Sequence, residues 1–248
     1  MSRFLKQVGL LKSIAIYYWK PFNQRRLREF YSQFISEGDL CFDIGAHVGN
    51  RTWSWYRLGA YVIAVEPQSI CFKYLERRFS ENGRIRLINE AVGAMIGEAT
   101  LYVNSANPAI STLSHAGWRN QLARDARYPV TWDDEENVRL TTLDVLIEMF
   151  GIPKFCKLDV ENNEFEALLG LSAALPMLSF EYYPPAMDNC FRCLARLADL
   201  GSYEFNWSFG ENLRLQSRDW LTQKEITQVL RTFTTRREYG DIYARLAM

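Results

Sequence analysis

The stretch "FDIGAHVGNRT" (42–52) opens on a short apolar run, reaches Asp43, carries Gly45 and Gly49 on either side of Ala46-His47-Val48, and then turns polar. An apolar run ending in a glycine-punctuated turn and a polar helix start is the strand-to-helix junction of an α/β unit. In an open parallel sheet, ligands bind beyond the carboxyl ends of the strands, at junctions of this kind. Glycines let the backbone bend sharply there, and the first helical turn offers free N–H groups to an anion.

Working outward, Leu27, Phe30, Tyr31 and Phe34 recur at helical spacing and predict a lead-in helix before a buried first strand, "DLCFDIGA" (39–46). Beyond the turn come a polar helix near 50–58, a second strand "YVIAVEP" (61–67), a helix with Ile70, Tyr74 and Phe79 inward, and a third strand "IRLINEAV" (85–92). "ATLYVN" (99–104) reads as an added strand. Residues 105–137 then lose periodicity around Pro108, Gly117, Pro129 and the acidic run 133–136, as a lid-like insertion does.

Order returns at 141–153, a helix opened by a Thr141/Asp144 capping box and stopped by Gly151 and Pro153. "KFCKLDV" (154–160) and "MLSFEYYP" (177–184) are the fourth and fifth strands, joined by a helix (163–170) that buries Phe165, Leu168 and Leu169. A helix over 188–199 follows. Two closing strands, 203–209 and 240–246, flank a helix with a Thr222/Glu225 capping box and a Leu221/Ile226 staple. The expected fold is α/β: a seven-stranded, mostly parallel sheet with helices on both faces, spanning 37–248 after a helical extension over 1–36.

With 248 residues, 48% of them hydrophobic, the chain can bury the core of one such domain. Lys plus Arg equals Asp plus Glu at 29 each, so no global field attracts nucleic acid, and no nucleic-acid reader motif is present. Five cysteines, an odd number in apolar contexts without a secretory-like leader, predict reduced thiols in a cytoplasmic protein. Cys190 and Cys193 have zinc-like spacing, but no second pair completes four ligands. The apolar stretch 8–19 is interrupted by Lys12 and too short to span a membrane; it reads as a packing helix, with peripheral docking on a membrane or a partner as the alternative.

A dinucleotide site wants G-x-G-x-x-G, whereas His47 stands at the middle position here. S-adenosylmethionine has no pyrophosphate; it needs hydrogen bonds for its amino-acid end and an acid for its ribose. Glu66 ends the second strand, where a carboxylate accepts ribose hydroxyls, and Asp43 is placed for the amino group.

Five motifs, "FDIGAHVGNRT", "AVEP", "INEAVG", "STLS" and "KLDVENNEFEALLG", occur in an order and spacing that resemble the FkbM family of S-adenosylmethionine-dependent methyltransferases, over about residues 39–184. The resemblance implies a class I methyltransferase (Rossmann-like) fold and methyl transfer, usually to a hydroxyl oxygen of a carbohydrate, glycolipid or secondary-metabolite precursor. By matched position it implies that Asp43, Gly45, Ala46, His47, Gly49 and Thr52 form the methionine end of the cofactor site. Glu66 and Pro67 would serve the ribose, and Asn89, Glu90 and Ala91 the adenine edge. The family's D-V-E-G-x-E is D-V-E-N-N-E here; Asn162 replaces glycine, and Asn tolerates a left-handed backbone. N-methylation and a cofactor-binding module without catalysis are the alternative functions.

Methyl transfer from a sulfonium is an in-line displacement that depends on alignment, helped by a base when the acceptor is a hydroxyl. Asp159, at the end of the fourth strand, is expected nearest the reacting centre and beside the cofactor, with Glu161 and Glu181 orienting the acceptor. Helix capping by these acids is the competing explanation. His115, in the lid, is a candidate base, and His47 shapes the cofactor turn. Trp118, Tyr128 and Trp132 are set to stack on the acceptor, to close over the cofactor, or simply to pack. The reading includes no metal; a divalent cation on Asp159, Glu161 and Glu181 is the lesser alternative.

Overall fold

The structure, a computed structural model, describes residues 2–114, 116–125 and 130–247. Its strands, in chain order, are β1 (Leu40–Ile44), β2 (Tyr61–Val65), β3 (Ile85–Ile88), β4 (Ala91–Val92), β5 (Gly97–Val103), β6 (Asp134–Thr141), β7 (Phe155–Leu158), β8 (Met177–Tyr182), β9 (Tyr203–Trp207) and β10 (Gly240–Leu246). The helices are α1 (Ser2–Ile14), α2 (Asn23–Tyr31), α3 (Asn50–Arg57), α4 (Ser69–Phe79), α5 (Ala116–Asp125), α6 (Leu143–Phe150), α7 (Glu164–Leu169), α8 (Met187–Leu200) and α9 (Gln223–Leu230). A π-helical turn (Ala15–Trp19) extends α1.

Seven strands form one sheet in the order β3-β2-β1-β7-β8-β10-β9; β10 runs antiparallel to both of its neighbours, and the other pairings are parallel. Side chains alternate between two buried faces, which is why these strands read as nearly continuous apolar runs. Cys41 and Val62 pack under α2 and α3 with Leu27, Tyr31 and Trp55. Phe42, Ile44, Ile63 and Val65 turn to the opposite face, against Leu146 of α6, Leu168 of α7, Leu194 of α8 and Ile226 of α9. Each such side chain, fully buried, contributes roughly 2 kcal/mol. Strand order reverses between β1 and β7, so the carboxyl ends of these two strands open a crevice.

Several local expectations are corrected. The stretch 85–92 is two strands in different sheets: β3 edges the main sheet, whereas β4 joins β6 and β5 in a three-stranded sheet of order β4-β6-β5. The acidic residues Asp134 to Glu136 belong to β6 and pair with β5. The α4 core residues are Cys71, Leu75 and Phe79; Phe79 is inward as expected, whereas Ile70 and Tyr74 are only half-buried and their neighbours Cys71 and Leu75 take the core positions. Thr142, not Thr141, caps α6, and Asp144 instead accepts from the Ser172 N–H at 2.8 Å. Leu169 is exposed, and Ala167 takes its place in the core. The Thr222/Glu225 capping box forms as expected. All five cysteines are buried free thiols.

The N-terminal segment is fastened from within. Gly9 lies so close to the Ser105 carbonyl that a Cβ there would overlap it. Lys6 pairs with Asp134 at 2.7 Å and Glu136 at 2.8 Å on β6, and the Tyr18 hydroxyl donates to the Val48 carbonyl at 2.9 Å.

Lys157, in the middle of β7, is only 1% exposed along its side chain, and its ammonium reaches Asp241 of β10 at 2.8 Å and Asp159 at 3.3 Å. Removing one partner of a buried ion pair leaves an uncompensated charge. Lys157→Met is therefore expected to lower the unfolding free energy by about 3–5 kcal/mol in a denaturant titration; an unchanged midpoint would refute that role. Gly45 has a φ of 81° and no room for a Cβ beside the Asp159 carbonyl. Gly45→Ala should cost at least about 2 kcal/mol by the same measurement.

Candidate active site

The crevice between β1 and β7 widens into a cleft of about 840 Å³, counted to its open mouth, and ten of its walls come from the expected junctions: Asp43, Gly45, Ala46, His47, Glu66, Pro67, Glu90, Ala91, Asp159 and Glu161. Gly49, Thr52 and Asn89 stand one layer behind it. Gly49 (φ 72°) makes room for Phe79 and Leu75, at 2.6 and 2.8 Å from where its Cβ would be. The Thr52 hydroxyl donates to Asp43, and the Asn89 amide donates to the carbonyls of Glu66 at 2.9 Å and Pro67 at 3.1 Å. Glycine at 45 and 49 thus serves the close packing of the turn against β7 and α4.

The turn organises Glu66. Its two carboxylate oxygens accept the backbone N–H groups of His47 at 2.7 Å and Gln68 at 2.8 Å, and each keeps acceptor capacity at the cleft. Burial outweighs those hydrogen bonds and pushes the carboxyl up to about 7. Burial likewise raises Asp43 above the usual carboxylate range, against the opposing Thr52 hydrogen bond. His47 has a φ of 52°, and burial pulls its imidazole down to about 4, so the ring is neutral at physiological pH. Tyr17 meets that ring edge-on, with centroids 5.6 Å apart.

Several lining residues had no role assigned from the sequence, Tyr17, Asn50, Arg51 and Gln68, and the "STLS" motif brings Ser111, Thr112 and Leu113 to the same wall. Arg51 pairs with Asp159 at 3.3 Å and Glu211 at 3.5 Å. A basic side chain at the start of the polar helix was the one local signal for it. His47 Nε2, Asn50 Nδ2 and Arg51 Nε are buried without a hydrogen-bond partner among the described residues. Such groups cost free energy unless a ligand satisfies them. A carboxylate and an amine at the methionine end, with a ribose diol at Glu66, fit this donor and acceptor set.

At the mouth, Asp159, Glu161 and Glu181 converge, with one carboxylate oxygen of each within 4.8 Å of the others. Burial would raise Asp159, but Lys157 and Arg51 override it and hold the group below the usual range. Glu161 and Glu181 are pushed well up by burial and by their acidic neighbours. Like charges this close do not all ionise, so the cluster retains protons; a hard cation is the other occupant such a set accepts.

Glu161 and Asn162 both adopt left-handed backbone, at φ 53° and 70°. The Glu161 carbonyl accepts from the Thr112 hydroxyl at 2.6 Å, and the Asn162 carbonyl from Ser114 at 2.9 Å. Glu164 caps the same turn, accepting from the N–H groups of Val160 at 3.3 Å and Asn162 at 3.2 Å. Glu181 lies outside the main cleft and lines an adjoining pocket with Trp118, Asn162, Tyr183 and Asn189. Trp118 is 6% exposed and packs edge-on to Tyr183, while Trp132 donates to the Ile110 carbonyl at 3.1 Å. His115 and Tyr128 lie outside the described residues.

The profile described as "Methyltransferase FkbM domain" matches residues 43–224. Among curated proteins none matches the chain. Solved structures similar to it include precorrin-6y C5,15-methyltransferase from Geobacter metallireducens, 8% identical over 91% of this chain and 88% of that one, with a TM-score of 0.47. Another is an O-methyltransferase from Bacillus cereus in complex with SAH, 11% identical over 99% of this chain and 90% of that one, with a TM-score of 0.46. At such scores the likeness carries no weight of its own; the strand order and the profile do. The chain belongs to the FkbM methyltransferase family, with a class I methyltransferase fold and S-adenosylmethionine as its cofactor.

Proposed function

We propose that the protein methylates a hydroxyl group of a carbohydrate, glycolipid or secondary-metabolite precursor. The observation that carries this reading is the convergence of Asp159, Glu161 and Glu181 at the junction of the cofactor cleft and the adjoining pocket. S-adenosylmethionine, when bound, supplies an electrophilic methyl group. The chain's own residues do the rest. Asn50 and Arg51 meet the methionine carboxylate, Asp43 its amino group, and Glu66 the ribose hydroxyls.

A hydroxyl acceptor loses a proton as its oxygen is methylated, so a carboxylate within reach helps most in the transition state. Glu181 reaches that oxygen from the adjoining pocket in its ionised form, takes up the departing proton as the methyl–sulfur bond breaks, and shares it with Glu161. Asp159, kept ionised by Lys157 and Arg51, disfavours further negative charge on both and so raises their basicity. Residues 111–114 border the acceptor side, tied to the Glu161 and Asn162 carbonyls through Thr112 and Ser114.

Transfer of labelled methyl from S-adenosylmethionine to a panel of hydroxylated glycans, glycolipids and amines tests the reaction class. Label in an ether linkage is expected; label confined to amines would replace this reading with N-methylation. Glu181→Gln should lower kcat by about 10²–10⁴-fold while S-adenosylhomocysteine affinity stays unchanged. Full turnover in that variant would remove Glu181 from the chemistry.

The Glu66 carboxyl is raised from 4.5 to about 7 in the free protein. Its contribution to stability is complete below pH 4.5 and is lost as pH rises through 7. Ribose hydroxyls donate to the ionised form, so S-adenosylhomocysteine affinity is expected to fall about tenfold per pH unit below the folded value. Calorimetric titrations across pH 5–8, about the window set by the two values, check this, and Glu66→Gln should flatten the dependence. A wild-type affinity independent of pH would contradict the ribose role.

A further inference from the structure

The chain carries seven basic side chains and no acidic one before Glu29, although bases and acids are equal overall. The remaining residues therefore hold an excess of seven acids. The same basic segment exposes large apolar side chains: Phe4 at 69%, Leu11 at 64%, Ile16 at 62%, Trp19 at 77% and Phe22 at 75%. Among the described residues, no other Trp or Phe is exposed to this degree. Phe4 and Leu11, seven apart on α1, share a helix face. Phe22 is held at a φ of 61°, a conformation that a bulky residue keeps only where its surroundings impose it.

This exposure does not come from a loosely attached helix. The inner side of the segment is fixed by Gly9 against Ser105, by the Lys6 ion pairs and by the Tyr18 hydrogen bond, and Tyr17 of the same turn lines the cofactor cleft. Lys12 and Lys20 stand exposed beside the apolar residues, without an ion-pair partner among the described residues. Aromatic and aliphatic side chains flanked by lysines match the boundary between lipid headgroups and acyl chains. A second copy of the chain would bring the same positive segment against itself, which disfavours a symmetric pair. Among the described residues no helix is long and apolar enough to cross a membrane, so the contact is one of surface docking.

We propose that residues 4–22 dock the protein on an anionic lipid bilayer, with the Trp19 and Phe22 rings entering the headgroup boundary and Lys12 and Lys20 meeting lipid phosphates. Because Tyr17 is on the same turn, docking brings one wall of the cleft to the membrane surface. This placement does not depend on which atom is methylated.

Flotation of the full chain with vesicles of phosphatidylcholine alone, and of phosphatidylcholine mixed with phosphatidylglycerol, tests the proposal. Binding to the mixed vesicles that weakens with salt is expected. Trp19→Ala with Phe22→Ala should reduce it at least about tenfold, the loss of partial burial of two rings. Lys12→Gln with Lys20→Gln should remove the preference for phosphatidylglycerol. S-adenosylhomocysteine binding retained in both variants shows that the fold is intact. The proposal is overturned if the wild-type protein does not float, if neither double variant changes flotation, or if the protein is a dimer without lipid that the aromatic variant dissociates.

Discussion

A buried ammonium holds the working end of this molecule in place. Lys157 sits within the sheet, where an isolated charge would be prohibitive, and it is tolerated because Asp241 from β10 and Asp159 from the end of its own strand reach it. One contact ties β7 to the antiparallel strand β10, across β8; the other fixes the first residue beyond β7, where the crevice opens. The Gly45 turn is pressed against the carbonyl of that same Asp159, so the two sides of the switch point are positioned by one residue. Arg51, from the helix that follows the turn, adds a second positive group to it. Fold and site are therefore linked through Asp159.

From that anchor the electrostatics of the cleft follow. Two cations keep Asp159 ionised, while Glu161 and Glu181, buried among acidic neighbours that outweigh the pull of Lys157, hold their protons to higher pH. Carboxyl groups in one place thus acquire different proton affinities, the usual basis for dividing acid and base roles. At the other end of the cleft burial is the largest influence on Glu66 and neutral His47: one is pushed up and the other down, each toward its uncharged form. The cleft is short of solvation until a ligand with matching polar groups enters it.

Much of this was legible in the chain because it depends on local pattern. Strands buried on both faces appear as apolar runs, and their carboxyl ends are marked by Asp43, Glu66 and Asp159. The left-handed turn at Asn162 could be anticipated from the tolerance of Asn for that backbone. What could not be read depends on distant partners. The break after Ile88 arises where Asn89 turns its amide to the carbonyls of Glu66 and Pro67, and β4 exists only because β6, far along the chain, pairs with it. The first turns of α4 turn Cys71 and Leu75 inward in place of Ile70 and Tyr74, while Phe79 is buried as expected. Lys157 looks like a solubilising residue until Asp241 is beside it. Tyr17 reaches the cleft from an extension that local periodicity marks only as a packing helix.

The central claim is that the turn over 42–52 and its neighbours form a site for S-adenosylmethionine and not for a dinucleotide. Isothermal titration calorimetry of the full chain with S-adenosylhomocysteine and, separately, with NAD tests it most directly. Saturable one-to-one binding of S-adenosylhomocysteine with no heat from NAD is the predicted result. Binding of NAD, or no binding of S-adenosylhomocysteine by a protein shown to be folded, would contradict it.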